Sequence, residues 1–309
     1  MKRTNKLAGF ALLGMFFMGS ATVSNLRINA PETPVSTVRS FEFQFSSQVE
    51  VGAEMMPLVG QLSKDGKSMY LTGQNHQGKK QLYKMSRTKA GADFGKPERL
   101  AGAINDGKYD IIMPSVSNDE QTMVFVHSAN GMQNGNDLYV ATKGATGEFT
   151  AIQAIEAAND PNISDSYPWL SADGNRLYFT KQQGSNITFY VTERTGAEGF
   201  GKPTELGIKL PKSNNNMSCH LSSDEKELFV LSGEVIYYSA RKSTADKFTL
   251  PVEIANTSNS GYLSGITLTD DASEMFVYNS VGFRNTQILK FNNKSNDSKP
   301  VLTTPGHEK

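Results

Sequence analysis

The stretch Leu170-Ser-Ala-Asp-Gly-Asn-Arg-Leu-Tyr178 decides the fold, because variants of it recur five times along the chain. Each copy joins a small hydroxyl residue to an acidic turn and then to a short hydrophobic run. The other four copies are Leu62-Ser-Lys-Asp-Gly-Lys-Ser-Met-Tyr70, Val116-Ser-Asn-Asp-Glu-Gln-Thr-Met-Val-Phe125, Leu221-Ser-Ser-Asp-Glu-Lys-Glu-Leu-Phe229 and Leu268-Thr-Asp-Asp-Ala-Ser-Glu-Met-Phe276. The central acids Asp65, Asp119, Asp173, Asp224 and Asp271 are separated by 54, 54, 51 and 47 residues. A strand-bearing repeat of about this length is typical of β-propeller blades.

Each repeat predicts four antiparallel strands. One strand leads into the acidic turn, and an aromatic-centred strand such as Arg176-Leu-Tyr-Phe-Thr180 follows it. The third strand resembles Asp137-Leu-Tyr-Val-Ala141, and a more polar fourth strand follows Phe94-Gly-Lys-Pro97 or Phe200-Gly-Lys-Pro203. Short β-rich runs bounded by Gly, Pro, Asn and Asp indicate strands and hairpins. We therefore expect an all-β chain that folds as a β-propeller of four-stranded antiparallel blades.

The segment Ser40-Phe-Glu-Phe-Gln-Phe-Ser46 affects the predicted number of blades. It alternates apolar and polar residues with the period of a strand. Such a strand could pair with the last blade and close the ring, which removes the exposed edges of an open sheet. We expect five blades with this extra N-terminal closing strand, and a degenerate sixth blade is the alternative.

The first residues resemble a secretory signal peptide. Lys2, Arg3 and Lys6 precede an uncharged, mainly apolar run that is shorter than a bilayer span, and small residues follow it. An uncleaved membrane anchor is the alternative. We expect a signal peptide at 1–21 with cleavage near Ala21, a flexible segment at 22–39, a single propeller domain at 40–303 and a disordered tail at 304–309. The mature protein would then be periplasmic or secreted, without a transmembrane segment.

Composition agrees with an exported globular protein. Cleavage would remove three of 31 basic side chains, which leaves 28 against 31 acidic ones and a formal charge of −3. Nucleic-acid binding needs a basic footprint, so we expect no nucleic-acid partner. Cys219 is the only cysteine and cannot form an internal disulfide. We expect it to be a buried small hydrophobe in a monomer.

The repeats resemble a known family. The Ser-x-Asp-Gly-x-x-Leu-Tyr-Phe signature, the strand that begins at Asp137 and the Phe-Gly-Lys-Pro segments look like the TolB-like, WD-repeat-like β-propeller repeat of bacterial envelope proteins. The stretch Ala103-Ile-Asn-Asp-Gly-Lys-Tyr-Asp-Ile-Ile-Met-Pro114 is similar to a blade boundary of that family. The resemblance covers about Met55 to Thr303. It implies the propeller fold and an envelope location, but one fold hosts many unrelated sites.

The repeated turn acids have a structural interpretation. Asp and Ser side chains bond to nearby backbone groups in turns, and Gly66 and Gly174 supply the positive φ of tight hairpins. The alternative, a row of catalytic acids, would place five carboxylates far apart around a ring. We therefore expect these acids to belong to the scaffold.

Candidate site residues appear where the aligned repeats differ. Two positions before each signature hydroxyl the chain carries Gln61, Ser115, Trp169, His220 and Thr267. We expect these five to form a ring at the mouth of the central channel that binds a ligand or partner, with Trp169 partly exposed and stacked on that ligand. The alternative is that they fill the channel and satisfy one another.

No motif commits the chain to catalysis. The four histidines are not spaced as zinc ligands, and no calcium loop, nucleophile elbow, phosphate loop or dinucleotide fingerprint occurs. We therefore expect no catalytic residue, no metal and no cofactor. The first functional hypothesis is an envelope binding module for a protein, peptide or glycan. The second is a propeller hydrolase or lyase that acts on a sugar or lactone at the channel mouth.

Overall fold

The structure is a computed structural model and describes residues 39–53, 55–107, 109–128, 135–196, 199–210, 217–257, 262–280 and 286–295. The predicted signal peptide, the predicted tail at 304–309 and nearly all of the predicted segment 22–39 lie outside these residues. Among the described residues, the single helical element is one 3₁₀ turn, Ala103–Asn105. All other regular structure is β-strand, which confirms the predicted all-β class.

Five four-stranded antiparallel sheets form the five blades of a propeller. Blade 1 contains β2 (Met56–Leu62), β3 (Ser68–Gln74), β4 (Lys80–Ser86) and β5 (Glu98–Arg99). Blade 2 contains β6 (Asp110–Val116), β7 (Thr122–Ser128), β8 (Asn136–Lys143) and β9 (Phe149–Ala154). Blade 3 contains β10 (Ser164–Leu170), β11 (Arg176–Gln183), β12 (Asn186–Glu193) and β13 (Thr204–Glu205). Blade 4 contains β14 (Met217–Leu221), β15 (Glu227–Ser232), β16 (Val235–Ala240) and β17 (Val252–Asn256). Blade 5 contains β18 (Tyr262–Leu268), β19 (Glu274–Ser280), β20 (Thr286–Asn293) and β1 (Phe43–Val49).

The N-terminal strand closes the ring, as the alternating segment predicts. β1 pairs antiparallel with β20 and forms the outer strand of blade 5. The closing strand therefore completes the fifth blade as its fourth strand and does not begin a sixth one. Arg39, just before β1, is buried, and its Nη1 lies 3.0 Å from Glu227 Oε2 of blade 4.

The innermost strands are β2, β6, β10, β14 and β18, and each contacts the innermost strands of its neighbours. These five strands surround the propeller axis and run in the same direction. We call the end where they begin the loop face. The opposite end is the turn face, which carries the five signature turns at 63–68, 117–122, 171–176, 222–227 and 269–274.

The signature turns are held by the bonds that turn chemistry requires. In all five, the Ser or Thr hydroxyl donates to the Asp carboxylate two residues later, with oxygen–oxygen distances of 2.6–2.8 Å. The same carboxylate accepts a backbone N–H from two residues further on. These contacts confirm the structural interpretation of the repeated acids.

The residue after each turn acid has positive φ in every blade. Gly66 and Gly174 adopt it without steric cost, with φ of 68° and 74°. The other three blades place Glu120, Glu225 and Ala272 there, with φ of 54°, 59° and 53°. Left-handed backbone costs a non-glycine residue on the order of 1 kcal/mol. The two glutamates therefore need a compensating role, and the contacts between blades provide one.

Buried carboxylates join blades at the turn face. Glu120 of blade 2 accepts from Tyr70 Oη and Lys84 Nζ of blade 1, at 2.7 and 2.6 Å. Glu225 of blade 4 likewise accepts from Arg176 and from Tyr178 Oη of blade 3, at 2.6 Å each. A tyrosine in one blade is thus matched by a glutamate at the next blade's turn. Charge-assisted bonds of this kind are stronger than neutral ones.

Two more contacts between blades use a different glutamate, five positions after the signature hydroxyl. Glu274 of blade 5 binds Arg87 of blade 1 at 2.6 Å and is also 2.6 Å from Lys290 Nζ. Glu227 of blade 4 binds Arg39 and accepts from Tyr238 Oη at 2.8 Å. Blades 2 and 3 meet instead through an apolar cluster that includes Val124, Val126, Leu138, Leu170 and Phe179.

Candidate functional site

The five predicted site residues lie on the innermost strands, near the turn face. Gln61 Nε2 donates to the carbonyl oxygen of Pro168 at 2.9 Å, which links blade 1 to blade 3. The Ser115 hydroxyl accepts the Leu170 N–H at 2.8 Å, so this residue joins blades 2 and 3. The predicted row therefore makes contacts between blades. Its role in ligand binding stays a prediction.

Thr267 and His220 contact each other and form part of the same ring. Thr267 Oγ1 accepts the Leu62 N–H at 2.9 Å and lies 3.4 Å from His220 Nδ1. Burial and the nearby cation of Lys64 lower the pKa of His220 to about 3. The imidazole is therefore neutral at physiological pH. It is a buried hydrogen-bonding group between β14 and β18.

The expected exposure of Trp169 is wrong, because its side chain is fully buried. The indole packs in the core between blades 3 and 4, which includes Cys219 and Leu228. The Tyr178 ring packs edge-on at 5.8 Å, and Lys64 Nζ lies 3.4 Å from the centre of the indole ring. An indole buries more apolar area between two blades than at a channel mouth, and this decides its position.

Cys219 is buried, as expected from its sequence context. Its Sγ lies 3.7 Å from the carbonyl oxygen of Tyr167, and burial raises the pKa of the thiol to about 12. Reactive cysteines need an accessible, electropositive setting that favours the thiolate. Cys219 therefore serves in packing.

A second row of residues lines the central channel, two positions closer to the loop face. These residues are Val59, Met113, Tyr167 and Ser218, and blade 5 contributes Ile266, which is one position before Thr267. Four of the five inner strands contain a bulge in this region. Met113 and Tyr167 have φ of 55° and 49° there, and both line the central cavity. Bulges re-aim side chains in this way.

These side chains close the channel. The cavity between them measures about 10 Å³, which is close to the smallest volume that holds one water molecule. Its lining comes from all five blades and includes Gly60, Gln61 and Pro114 in addition to the second row. The sequence signal for this row was available, because its members also differ between the aligned repeats.

The loop face carries two exposed aromatic side chains. Tyr109 and Tyr262 stand where β6 and β18 begin, and their exposed fractions are 51% and 57%. Burial raises the pKa of Tyr167, and the nearby Tyr262 adds to this shift. Tyr262 therefore stands near Tyr167, which lines the closed channel. Sequence analysis did not single out either exposed tyrosine.

A histidine lies directly beneath Tyr109. The two rings are perpendicular with centres 4.0 Å apart, and the Tyr139 ring packs against the other side of His127 at 5.1 Å. Burial lowers the pKa of His127, although Asp137 and Asp106 act in the opposite direction. The result is a neutral imidazole between two tyrosines at the surface.

Several buried polar atoms near the loop face have no hydrogen-bond partner among the described residues. They belong to side chains at strand ends: His127 Nε2, Asn136 Oδ1, Asp165 Oδ2, Asn279 Oδ1 and Thr286 Oγ1. Buried polar atoms are normally hydrogen-bonded. Arg39 Nε and Trp169 Nε1, which lie toward the turn face, also lack a partner among the described residues, so the loop face carries more such atoms but not all of them. The described part of the chain contains no cluster of three or more His, Cys, Asp or Glu residues suited to a metal ion. No described helix is long and apolar enough to cross a membrane.

The comparisons with known proteins agree with the architecture. No family model and no curated protein matches the sequence. Solved structures that resemble this chain include the β-xylosidase RS223, with a TM-score of 0.52 and 11% identity over 82% of this chain and 94% of that one. They also include the catalytic domain of the Coprinopsis cinerea GH62 α-L-arabinofuranosidase, with a TM-score of 0.52 and 12% identity over 82% and 98% of the two chains.

TolB from Acinetobacter baumannii is also similar, with a TM-score of 0.48 and 16% identity over 79% of this chain. The chain spans 55% of the length of that TolB. Identities this low show a shared fold and leave activity open. The protein is a five-bladed β-propeller, and both TolB proteins and glycosidases are among its structural neighbours.

Proposed function

We propose that this chain is an exported binding module of the cell envelope that presents its loop face to a protein, peptide or glycan. The observation that carries the proposal is the closed channel. A cavity of about 10 Å³ on the propeller axis cannot admit a sugar ring or a lactone. This cavity is therefore too small for such a ligand, which favours binding on the surface.

The loop face has the features of such a surface. Tyr109 and Tyr262 are large, half-exposed aromatic side chains, and tyrosine is enriched in the energetically important parts of interfaces. The neutral imidazole of His127 lies below one of them with an unpartnered nitrogen. An aromatic surface with nearby hydrogen-bonding atoms suits a polypeptide or a glycan. The envelope location rests on the signal-peptide pattern and on the TolB-like resemblance of the repeats.

A capture experiment tests the proposal. The purified chain would be immobilised and exposed separately to envelope proteins, envelope peptides and purified envelope glycans from the source cell. The double variant Tyr109→Ser/Tyr262→Ser should lose at least about tenfold in affinity for the ligand retained by the wild type, since aromatic anchors carry much of the binding energy at interfaces. Leu250→Ser is the matched control, because Leu250 is an exposed apolar residue next to β17, on a different part of the molecule.

Two results would contradict the proposal. One is a wild-type chain that retains no more than a heat-unfolded control does. The other is a tyrosine double variant that binds as well as the Leu250→Ser control. Turnover of an aryl glycoside or a lactone by the wild type, lost in the double variant, would instead favour the propeller hydrolase or lyase.

A further inference from the structure

Lys64 is an unusual residue at the turn-face mouth of the channel. It directly follows the signature hydroxyl of blade 1. The other four blades carry shorter side chains at the same position: Asn118, Ala172, Ser223 and Asp270. Only blade 1 therefore places a long cationic side chain here. The short neighbours leave it room to reach across the mouth of the channel.

The Lys64 side chain extends from blade 1 to blade 3. Its Nζ lies 3.4 Å from the centre of the Trp169 ring, and the residue is half-buried. The other well-buried lysines have a carboxylate oxygen within 4 Å, as Lys181 has in Asp165 and Lys290 has in Glu274. Lys64 forms no such ion pair with a described residue. Its amine is therefore partly buried and lies against the apolar face of the Trp169 indole.

The electrostatics around Lys64 favour the neutral amine. Burial lowers its pKa to about 7, against the opposing effects of Asp270 and Glu225. Both carboxylates have other partners: Asp270 accepts the Ser223 N–H at 2.5 Å, and Glu225 binds Arg176 and Tyr178. The indole face also attracts an ammonium group, which limits the shift. His220, the remaining titratable group nearby, is neutral.

We propose that Lys64 is a covalent modification site that condenses with small, uncharged aldehydes. The amine nitrogen attacks the carbonyl carbon to give a carbinolamine, which loses water to form the imine. The two nitrogen protons leave with the carbonyl oxygen in that water molecule, so no oxidant or reductant is needed. Asp270 and Glu225 disfavour an anionic carbonyl compound such as a keto acid. Lysines held neutral by their surroundings form Schiff bases readily.

Reductive trapping tests this proposal. The intact protein would be incubated with propanal and cyanoborohydride at a series of pH values, and propylation of each lysine would be quantified by peptide mass spectrometry. Lys67 is the internal reference, because it lies three residues away, is exposed and pairs with Asp65. At pH 8, Lys64 should be labelled at least about tenfold faster than Lys67, since most of it is already deprotonated there. Its labelling rate should level off above about pH 7, and the pH profile of Lys67 should differ from it.

Two variants make the test specific. Asp270→Asn keeps an acceptor for the Ser223 N–H but removes a negative charge that favours the ammonium form of Lys64. The pH profile of Lys64 labelling should therefore shift to lower pH. Lys64→Met should lose this adduct alone, with an unchanged circular dichroism spectrum. Equal labelling of Lys64 and Lys67, parallel pH profiles, or no adduct on Lys64 would each overturn the proposal.

Discussion

The two ends of the propeller differ in how completely their polar groups are satisfied. At the turn face, the turn acids bond to hydroxyl and backbone groups, and four glutamates, three of them buried, bind cations or tyrosine hydroxyls of the neighbouring blades. Near the loop face, five buried polar atoms lack a described partner, against Arg39 Nε and Trp169 Nε1 toward the turn face, and two tyrosines are half-exposed. The difference teaches that the contacts which hold the ring are concentrated at one end of the strands, and it agrees with the recognition role that we propose for the other end. A repeat can vary at one end because the other end holds the ring together.

The largest expected effect comes from breaking a buried ion pair of the turn face. Glu274→Gln would leave Arg87, which is fully buried, and Lys290 without their carboxylate. The free energy of unfolding should fall by about 3–5 kcal/mol, because an uncompensated buried charge remains. Urea denaturation monitored by Trp169 fluorescence would measure the loss.

Lys226→Gln is the control for that variant. The Lys226–Asp224 pair has a nitrogen–oxygen distance of 3.6 Å, and both side chains are nearly half-exposed. Exposed pairs contribute about 0–1 kcal/mol, so this substitution should change stability little. Equal losses for the two variants would show that the turn-face carboxylates do not stabilise the ring.

A smaller loss is expected where a tyrosine meets a glutamate of the next blade. Tyr178→Phe removes a hydroxyl that donates to the buried Glu225, and Tyr70→Phe removes one that donates to the partly buried Glu120. Each should cost about 1–2 kcal/mol in thermal unfolding, since the glutamate loses a donor. Tyr190→Phe is the matched control, because this partly buried tyrosine has no described hydrogen-bond partner. Unchanged melting temperatures for both variants would mean that the bonds between blades contribute nothing.

The two faces should also respond to pH in opposite directions. Burial raises the pKa of Asp165 from 3.8 to about 6. The hydrogen bond from Lys181 opposes this shift, and the charge of nearby Asp137 adds to it. The folded protein therefore holds this proton more tightly than the unfolded chain does. The resulting stabilisation is complete below about pH 4 and is lost as the pH rises to about 6.

Glu274 at the turn face behaves in the opposite way. Burial acts against the bonds from Arg87 and Lys290, and the net result is a lowered pKa. Its contribution is present above about pH 4.5 and is lost as the pH falls.

Asp165→Asn tests the sign of this difference and has the smallest expected effect. It should flatten the stability profile between about pH 4 and 6 and raise stability at pH 7 by about 1 kcal/mol, because the loss of the Lys181 partner offsets part of the gain. Glu274→Gln should instead flatten the acidic end of the profile. Urea midpoints across the pH range measure both. A loss of stability at pH 7 in Asp165→Asn would show that the Lys181 contact outweighs burial.

The sequence predicted the fold well because the decisive interactions are local. The bond from Ser171 to Asp173 and the positive φ at Gly174 involve adjacent residues and recur in each copy, so the period and the hairpins were readable. The closing strand was also predicted, since its alternation matches a half-buried sheet edge. Its position as the fourth strand of blade 5 follows from pairing with β20, which no local pattern encodes.

The candidate site was less accessible to sequence reasoning. Trp169 is buried because it packs in the core between blades 3 and 4, and Lys64, more than one hundred positions earlier, covers its ring. Met113 and Tyr167 line the cavity because bulges reorient their strands, and these bulges change which residues share a face. Neither effect is visible in the spacing of the repeats. Both depend on contacts between blades that form only in the closed ring.

The pairing of β1 with β20 determines the order in which the molecule can be completed. Glu42 N–H donates to Asn293 Oδ1, although 251 positions separate the two residues in the chain. The first strand to be synthesised must therefore wait, with an open edge, until the last strand exists. Contacts this distant in sequence carry a large loop-closure entropy and slow folding. Until the ring closes, both ends expose unpaired backbone, so the interval before closure is when the chain is most vulnerable to aggregation and proteolysis.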